Sequence, residues 1–150
     1  GLKKPYALLV PGSAPAREDK RWPAAKYAGL AAKLAREGLT PVILGTGMEE
    51  DVIARIAKSC EEAVNLAGRT SLYDIASLAQ EAAVAIGNDT GPTHLISMAG
   101  CPTVALFNKG ASSAAQSSPV GQAVRVMESE NLEGLKVTDV CTTALEMARK

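Results

Sequence analysis

Apolar residues along this chain fall into short uninterrupted runs, separated by longer stretches in which they recur every three or four positions. Tyr6-Ala7-Leu8-Leu9-Val10 is the first run and ends at Pro11-Gly12. With no polar alternation, it predicts a strand buried on both faces. After a polar loop from Gly12 to Arg21, Pro23 stands where a first helical turn tolerates proline. Tyr27, Leu30, Ala31 and Leu34 then recur at helical spacing until Gly38 stops the helix. Pro41-Val42-Ile43-Leu44 and the turn Gly45-Thr46-Gly47 predict a second strand, and Val52, Ile53, Ile56, Ala57 and Cys60 mark the inner face of a second helix. Ala63-Val64-Asn65-Leu66 is a weaker strand, and Ser71 with Asp74 has capping-box spacing ahead of Ile75, Leu78 and Ala79.

Ala82-Ala83-Val84-Ala85-Ile86 predicts another buried strand, Gly87 to Pro92 a turn, Thr93 to Ala99 a helix stopped by Gly100, and Pro102 to Phe107 a further strand. Residues 108–121 read as a loop or a weakly specified helix. Ala123 to Val126 reads as a last strand, and Thr138 caps a terminal helix carrying Val140, Cys141, Ala144, Leu145 and Ala148. Strands alternating with helices throughout predict an α/β domain, a parallel sheet with helices on both faces and right-handed crossovers. A single domain over 1–150 fits the length. In such sheets ligands bind beyond the carboxyl ends of the strands.

Composition narrows the partners. Sixteen Lys and Arg balance sixteen Asp and Glu, so no net field favours a nucleic acid backbone or an anionic membrane. Aromatic residues make up 3%, so the core is aliphatic. The apolar runs fall far short of the roughly 20 residues that span a bilayer. Three widely spaced cysteines, Cys60, Cys101 and Cys141, form no CxxC pair and predict reduced structural thiols in a reducing, cytoplasmic compartment. The chain opens Gly1-Leu2-Lys3 without Met, which suggests a cut inside a longer protein.

The strongest chemical signal is Gly87-Asn88-Asp89-Thr90-Gly91-Pro92-Thr93-His94, between a buried strand and a helix, where free N–H groups and the helix dipole favour an anion. Gly91 lets a phosphate approach, Thr90 and Thr93 offer hydroxyls, and His94 shares a helix face with Thr90. An Asp/Thr N-cap beside a structural histidine explains the same residues. Arg17, Lys20 and Arg21 lie in the loop after the first strand, where they either neutralise phosphate or balance Glu18 and Asp19 in solvent. Gly45-Thr46-Gly47-Met48-Glu49-Glu50 fails as a dinucleotide fingerprint because Glu50 holds the third glycine position. Glu49 and Glu50 suit either a helix N-terminus or a ribose hydroxyl. No phosphate-loop lysine motif or GxSxG serine elbow is present, and without HExxH or paired His/Cys ligands no transition-metal site is expected.

Four segments in order carry a resemblance: Pro11-Gly12-Ser13 with Lys20-Arg21-Trp22-Pro23, Asn65 to Leu72, Gly87 to Leu95, and Pro102 to Phe107. Together they resemble the C-terminal half of the ninth glycosyltransferase family, typified by ADP-heptose:lipopolysaccharide heptosyltransferases. The resemblance implies a Rossmann-like donor-binding domain, the C-terminal half of a GT-B type enzyme, with the N-terminal acceptor domain absent from this chain. It implies a donor diphosphate held by Asp89, Thr90, Gly91, His94 and Lys20. Ser13 and Glu49 or Glu50 become lesser nucleotide contacts, and Thr70 or Ser71 borders the base or ribose. Lys20 also stabilises the leaving diphosphate, and the general base belongs to the absent half.

The implied reaction is inverting transfer of a heptose-type sugar from a nucleoside diphosphate, ADP expected, to a lipopolysaccharide core acceptor. The donor is substrate rather than cofactor, no metal is required, and the setting is cytoplasmic or at the inner face of the inner membrane. After Phe107 the family's usual Gly-Pro-Thr-Asp-Pro loop is replaced by Asn108-Lys109-Gly110 and a Ser/Ala-rich run. The competing readings are a non-catalytic nucleotide-binding module and half of a nucleotide-sugar epimerase.

Overall fold

The computed structural model describes residues 5–12, 22–45, 50–88, 90–108, 124–129 and 132–149. Six strands, β1 (Tyr6–Val10), β2 (Thr40–Ile43), β3 (Val64–Asn65), β4 (Val84–Asn88), β5 (Thr103–Asn108) and β6 (Val124–Ser129), form one sheet. Among the described residues five α-helices accompany them: α1 (Ala24–Arg36), α2 (Glu50–Ser59), α3 (Leu72–Glu81), α4 (Gly91–Met98) and α5 (Val137–Met147). The strand order is β3-β2-β1-β4-β5-β6, and every pair is parallel. From β1 the chain winds outward to β3, returns to the centre at β4, and winds the other way to β6. β1 and β4 therefore flank the point where the winding reverses.

The central strands of the sheet are buried on both faces, as the apolar runs predict, whereas the edge strands β3 and β6 are half-buried or exposed. On one side Ala7, Leu9, Ile43, Ile86, Val104 and Leu106 meet α1, α2 and α5 through Tyr27, Leu30, Leu34, Ile53, Ile56 and Val140. On the other, Tyr6, Leu8, Val10, Val42, Leu44 and Ala85 meet α3 and α4 through Ile75, Ala79 and Ile96. Successive strand residues point to opposite faces, so neighbours such as Leu8 and Leu9 serve different layers. Arg149, just beyond α5, donates to the carbonyls of Ala79, Gln80 and Ala82 at 3.0, 2.7 and 2.9 Å, placing a cation on the open C-terminus of α3.

Several element boundaries differ from the sequence reading; α4 begins at Gly91, with Pro92 in its first turn, rather than at Thr93, and β2, β3 and β5 differ by a residue at their ends. β4 is shifted two residues onward: Ala82 is the C-cap of α3, and Gly87 and Asn88 are the last residues of the strand rather than the start of a turn. Gly87 pairs with Val10 on one side and Ala105 on the other, so two neighbouring strands hold it extended. β6 runs on to Ser129 because β5 offers it a partner through Asn108. Thr138 does not cap the terminal helix; Lys136 occupies the N-cap position and Thr138 lies within the first turn. Val137, packed against the core, draws the helix start forward. The run from Lys109 to Ala123 lies outside the described residues.

Candidate functional site

Ligands in open parallel sheets bind beyond the carboxyl ends of the strands where the winding reverses, here beyond Val10 and Asn88. Two loops meet at that place, one leaving β1 through Pro11 and Gly12, the other leaving β4 toward Thr90 and Gly91. Thr90 has the extended backbone of an N-cap, yet its hydroxyl makes no capping bond. It lies 3.2 Å from the Thr93 hydroxyl instead. The capping explanation thus holds for the Thr90 backbone and not for its side chain, and the hydroxyl takes none of the N–H groups of the first turn. Among the described residues nothing stands within 4 Å of where a Gly91 side chain would begin, so none of them keeps a ligand from the backbone there.

Thr93, offered by the sequence as a second hydroxyl donor, is 1% exposed. Its side chain lies against Gly87, whose missing Cβ makes room for it. It therefore packs the first turn of α4 onto the sheet rather than facing a ligand. His94 is half-buried on the same turn; its backbone N–H bonds Thr90 O at 3.1 Å, and its carbonyl accepts from Ser97 at 3.1 Å.

At the outer strands, Leu66 N–H bonds Ile43 O at 2.9 Å and Gly68 N–H bonds Gly45 O at 2.8 Å, prolonging the β2–β3 contact past the short β3. Gly68 turns the chain with φ +73°, a left-handed conformation that favours glycine. Ser71 caps α3: its hydroxyl accepts from the Asp74 N–H at 3.1 Å, and its own N–H donates to Asp74 Oδ2 at 2.9 Å. Beside it, the Thr70 hydroxyl oxygen is buried and has no hydrogen-bond partner among the described residues. Buried hydroxyls without a partner are rare, and this one sits at the carboxyl end of the sheet. Strand spacing puts the ends of β3 and β4 on the order of 14 Å apart, so an extended ligand could touch both.

The structure therefore brings Thr90, Gly91 and His94 to one helix turn at the reversal point, with Thr70 and Ser71 along the same edge of the sheet. Ser13, Lys20, Glu49 and Asp89 lie outside the described residues; Glu50 opens α2, with its side chain outside them too. Sequence reasoning missed Asn88 and Tyr27. Asn88 is fully buried at the end of β4, and its Oδ1 accepts from the Tyr27 hydroxyl at 2.8 Å. Burial holds the Tyr27 phenol well above its ordinary pKa, so it stays a proton donor. An amide directly after five buried apolar or small residues was the available signal. Among the described residues no group of three or more His, Cys, Asp or Glu is placed to hold a metal ion.

The fold is a doubly wound, Rossmann-like α/β domain with a candidate ligand site at the point where the winding reverses. The sequence profile of glycosyltransferase family 9 (heptosyltransferase) matches residues 1–145, and the chain belongs to that family. It is 32% identical over 93 residues to lipooligosaccharide heptosyltransferase 2 of Haemophilus influenzae, a match covering 59% of this chain and 27% of that protein. The structure of the E. coli ADP-heptose lps heptosyltransferase II superposes with a TM-score of 0.86 at 25% identity, covering 95% of this chain and 46% of that one. E. coli heptosyltransferase WaaC, solved with ADP, gives 0.86 at 23% identity over 98% of this chain and 46% of its own length. The chain thus spans less than half the length of these relatives.

Proposed function

We propose that this chain is the donor-binding half of an inverting heptosyltransferase, taking an ADP-sugar whose diphosphate sits at the N-terminus of α4. The observation that carries the reading is the first turn of α4 at the strand reversal, where the Thr90 side chain caps no N–H group and no described residue crowds Gly91. Membership of the heptosyltransferase family supports it, as does the solution of one structural neighbour with ADP. In this reading Asp89, Thr90, Gly91 and His94 hold the diphosphate, with Ser13 and Glu49 or Glu50 as lesser contacts. Thr70 offers to the ribose or base a hydroxyl oxygen that has no partner among the described residues.

Transfer requires an acceptor hydroxyl to attack the anomeric carbon as the C–O bond to the diphosphate breaks. Negative charge then gathers on the leaving diphosphate. The α4 dipole and the Lys20 ammonium are fixed sources of opposite charge, and preorganised charge of this kind is a leading contribution to catalysis. No resident metal or cofactor enters the reading. The general base comes from an acceptor-binding half N-terminal to this chain, so the chain alone binds donor without turning it over. The lipopolysaccharide core as acceptor and a cytoplasmic setting complete the proposal; three buried free thiols suit a reducing compartment.

Calorimetry and thermal shift with ADP, UDP, GDP and AMP, without added metal, test it. Saturable ADP binding that AMP does not match is expected. Equal affinity for AMP and ADP would refute the diphosphate assignment.

A further inference from the structure

The Thr90 and Thr93 hydroxyls lie 3.2 Å apart, and their geometry lets either one donate. Burial decides between them. Thr93 is 1% exposed, and among the described residues Thr90 Oγ1 is the one hydrogen-bond partner of its hydroxyl. Thr90 is half-buried, so its own proton can turn outward. Thr93 therefore donates and Thr90 accepts. The donor is also held in place: a Cβ on Gly87 would run into Thr93 Oγ1, so the hydroxyl fills the space that glycine leaves, and branching at Cβ restricts its rotation. An N-cap threonine ordinarily accepts from the N–H of the second or third helical residue. In α4 the second is Pro92, which has no N–H, and the third is Thr93 itself. Thr90 makes no such bond, because its oxygen is engaged by the Thr93 hydroxyl. The first bond of the helix runs from His94 N–H to Thr90 O at 3.1 Å, so the helix supplies no partner for the N–H groups of Gly91 and Thr93.

We infer that Thr93 is a positioning residue for an anionic ligand at the first turn of α4: its buried hydroxyl draws Thr90 Oγ1 off the cap, which turns the Thr90 O–H outward as a donor and keeps the Thr93 N–H available to the same ligand. The inference rests on the donor-site reading above. An anionic oxygen seated there receives the Thr90 proton while Thr90 accepts from Thr93. Both hydroxyls are then satisfied, and the two bonds polarise each other in the same direction. Valine at position 93 keeps the shape of the side chain and loses the proton. Thr90 Oγ1 then takes the vacant cap, as a threonine in that position otherwise does, and a ligand has to displace it.

ADP affinity by calorimetry and melting by circular dichroism are compared for the parent chain, Thr93→Val, Thr93→Ser and Thr93→Ala, and for Thr93→Val in a Thr90→Ala background. Thr93→Val should bind ADP about three- to tenfold more weakly, the worth of one hydrogen bond. Thr93→Ser keeps the hydroxyl and gives up the methyl, so it should melt lower and still bind ADP as the parent does. A role in packing alone gives the opposite order, with affinity following the melting temperature, and that order would overturn the inference. In the Thr90→Ala background the valine should cost nothing further, because the hydroxyl it acts through is gone; an undiminished loss there would overturn the route through Thr90. Should Thr93→Val not fold, Thr93→Ser and Thr93→Ala, which differ by the hydroxyl alone, carry the comparison, and equal affinities in that pair overturn the positioning role. A parent that binds ADP while Thr93→Val binds it equally overturns the positioning role alone. A parent chain that does not bind ADP overturns the donor-site reading and this inference with it.

Discussion

Gly87→Ala probes the contact that seats α4 on the sheet. A Cβ at this position would run into Thr93 Oγ1, stand 3.0 Å from Val10 Cβ, and lie 3.3 Å from Thr93 Cβ. Thr93 is β-branched and 1% exposed, so its side chain has little freedom to swing away. The first turn of α4 must lift instead. Gly87 does not have positive φ, so the backbone itself accepts alanine, and the reduced freedom of the unfolded chain offsets part of the clash by about 0.4–1 kcal/mol. Overpacking a tight core costs about 1–3 kcal/mol, which leaves a net loss of roughly 1–2 kcal/mol. For a chain of this length that lowers the melting temperature by roughly 3–8 °C.

Since Thr90, Gly91 and His94 ride on the turn that lifts, ADP affinity should fall as well. Circular dichroism melts and calorimetry on Gly87→Ala, Thr93→Ala and the double variant form a cycle. Thr93→Ala removes the hydroxyl that the new methyl would strike, so the double variant should be more stable than the two single losses sum to. A Gly87→Ala chain that melts within about 1 °C of the parent, or a cycle with no coupling, would refute the packing argument.

Thr70→Val removes a buried hydroxyl that has no partner among the described residues while keeping its shape, so the melting temperature should hold or rise as ADP affinity falls; unchanged affinity would free Thr70 from any contact with the nucleotide. Ser71→Ala deletes the capping acceptor of α3 and should cost about 1 kcal/mol, read as a drop of a few degrees in the melt. The Cys101 thiol is raised by burial from its ordinary 9.0 to about 12, with the Arg149 cation opposing that shift only in part. The native chain then holds this proton more tightly than the unfolded chain, so its stabilising effect is full below pH 9 and is lost as pH rises toward 12. Melting temperatures between pH 8 and 10.5 should fall with pH, and Cys101→Ala should flatten that slope; an identical slope in the variant would refute it.

The legible features were those written in neighbouring residues. The capping box at Ser71 and Asp74 needs only three residues' separation, and it stands as the spacing implied. Gly38 and Gly100, read as helix stops, both hold left-handed backbone with φ +86° and +98°. The aliphatic runs declared a sheet buried on both faces because no polar residue alternates within them, and an ordered set of four motifs declared the family. Thr138 shows the limit of such reading: it is a good cap by type, but packing of Val137 moved the helix start past it.

What the tertiary structure alone decided is which distant residues share a place. That Gly87 and Asn88 end a strand follows from Val10 and Ala105 lying on either side of them, a pairing invisible in the local pattern. Thr93 faces the sheet rather than a ligand because Gly87 leaves room for it there. Asn88 joins Pro11, Trp22 and Tyr27 across 61 to 77 positions of sequence, contacts that exist only because β4 is laid beside β1. Hydrophobic periodicity dictates that an element is buried and on which face. It carries no information on which strand is its neighbour, and the site is made by neighbours.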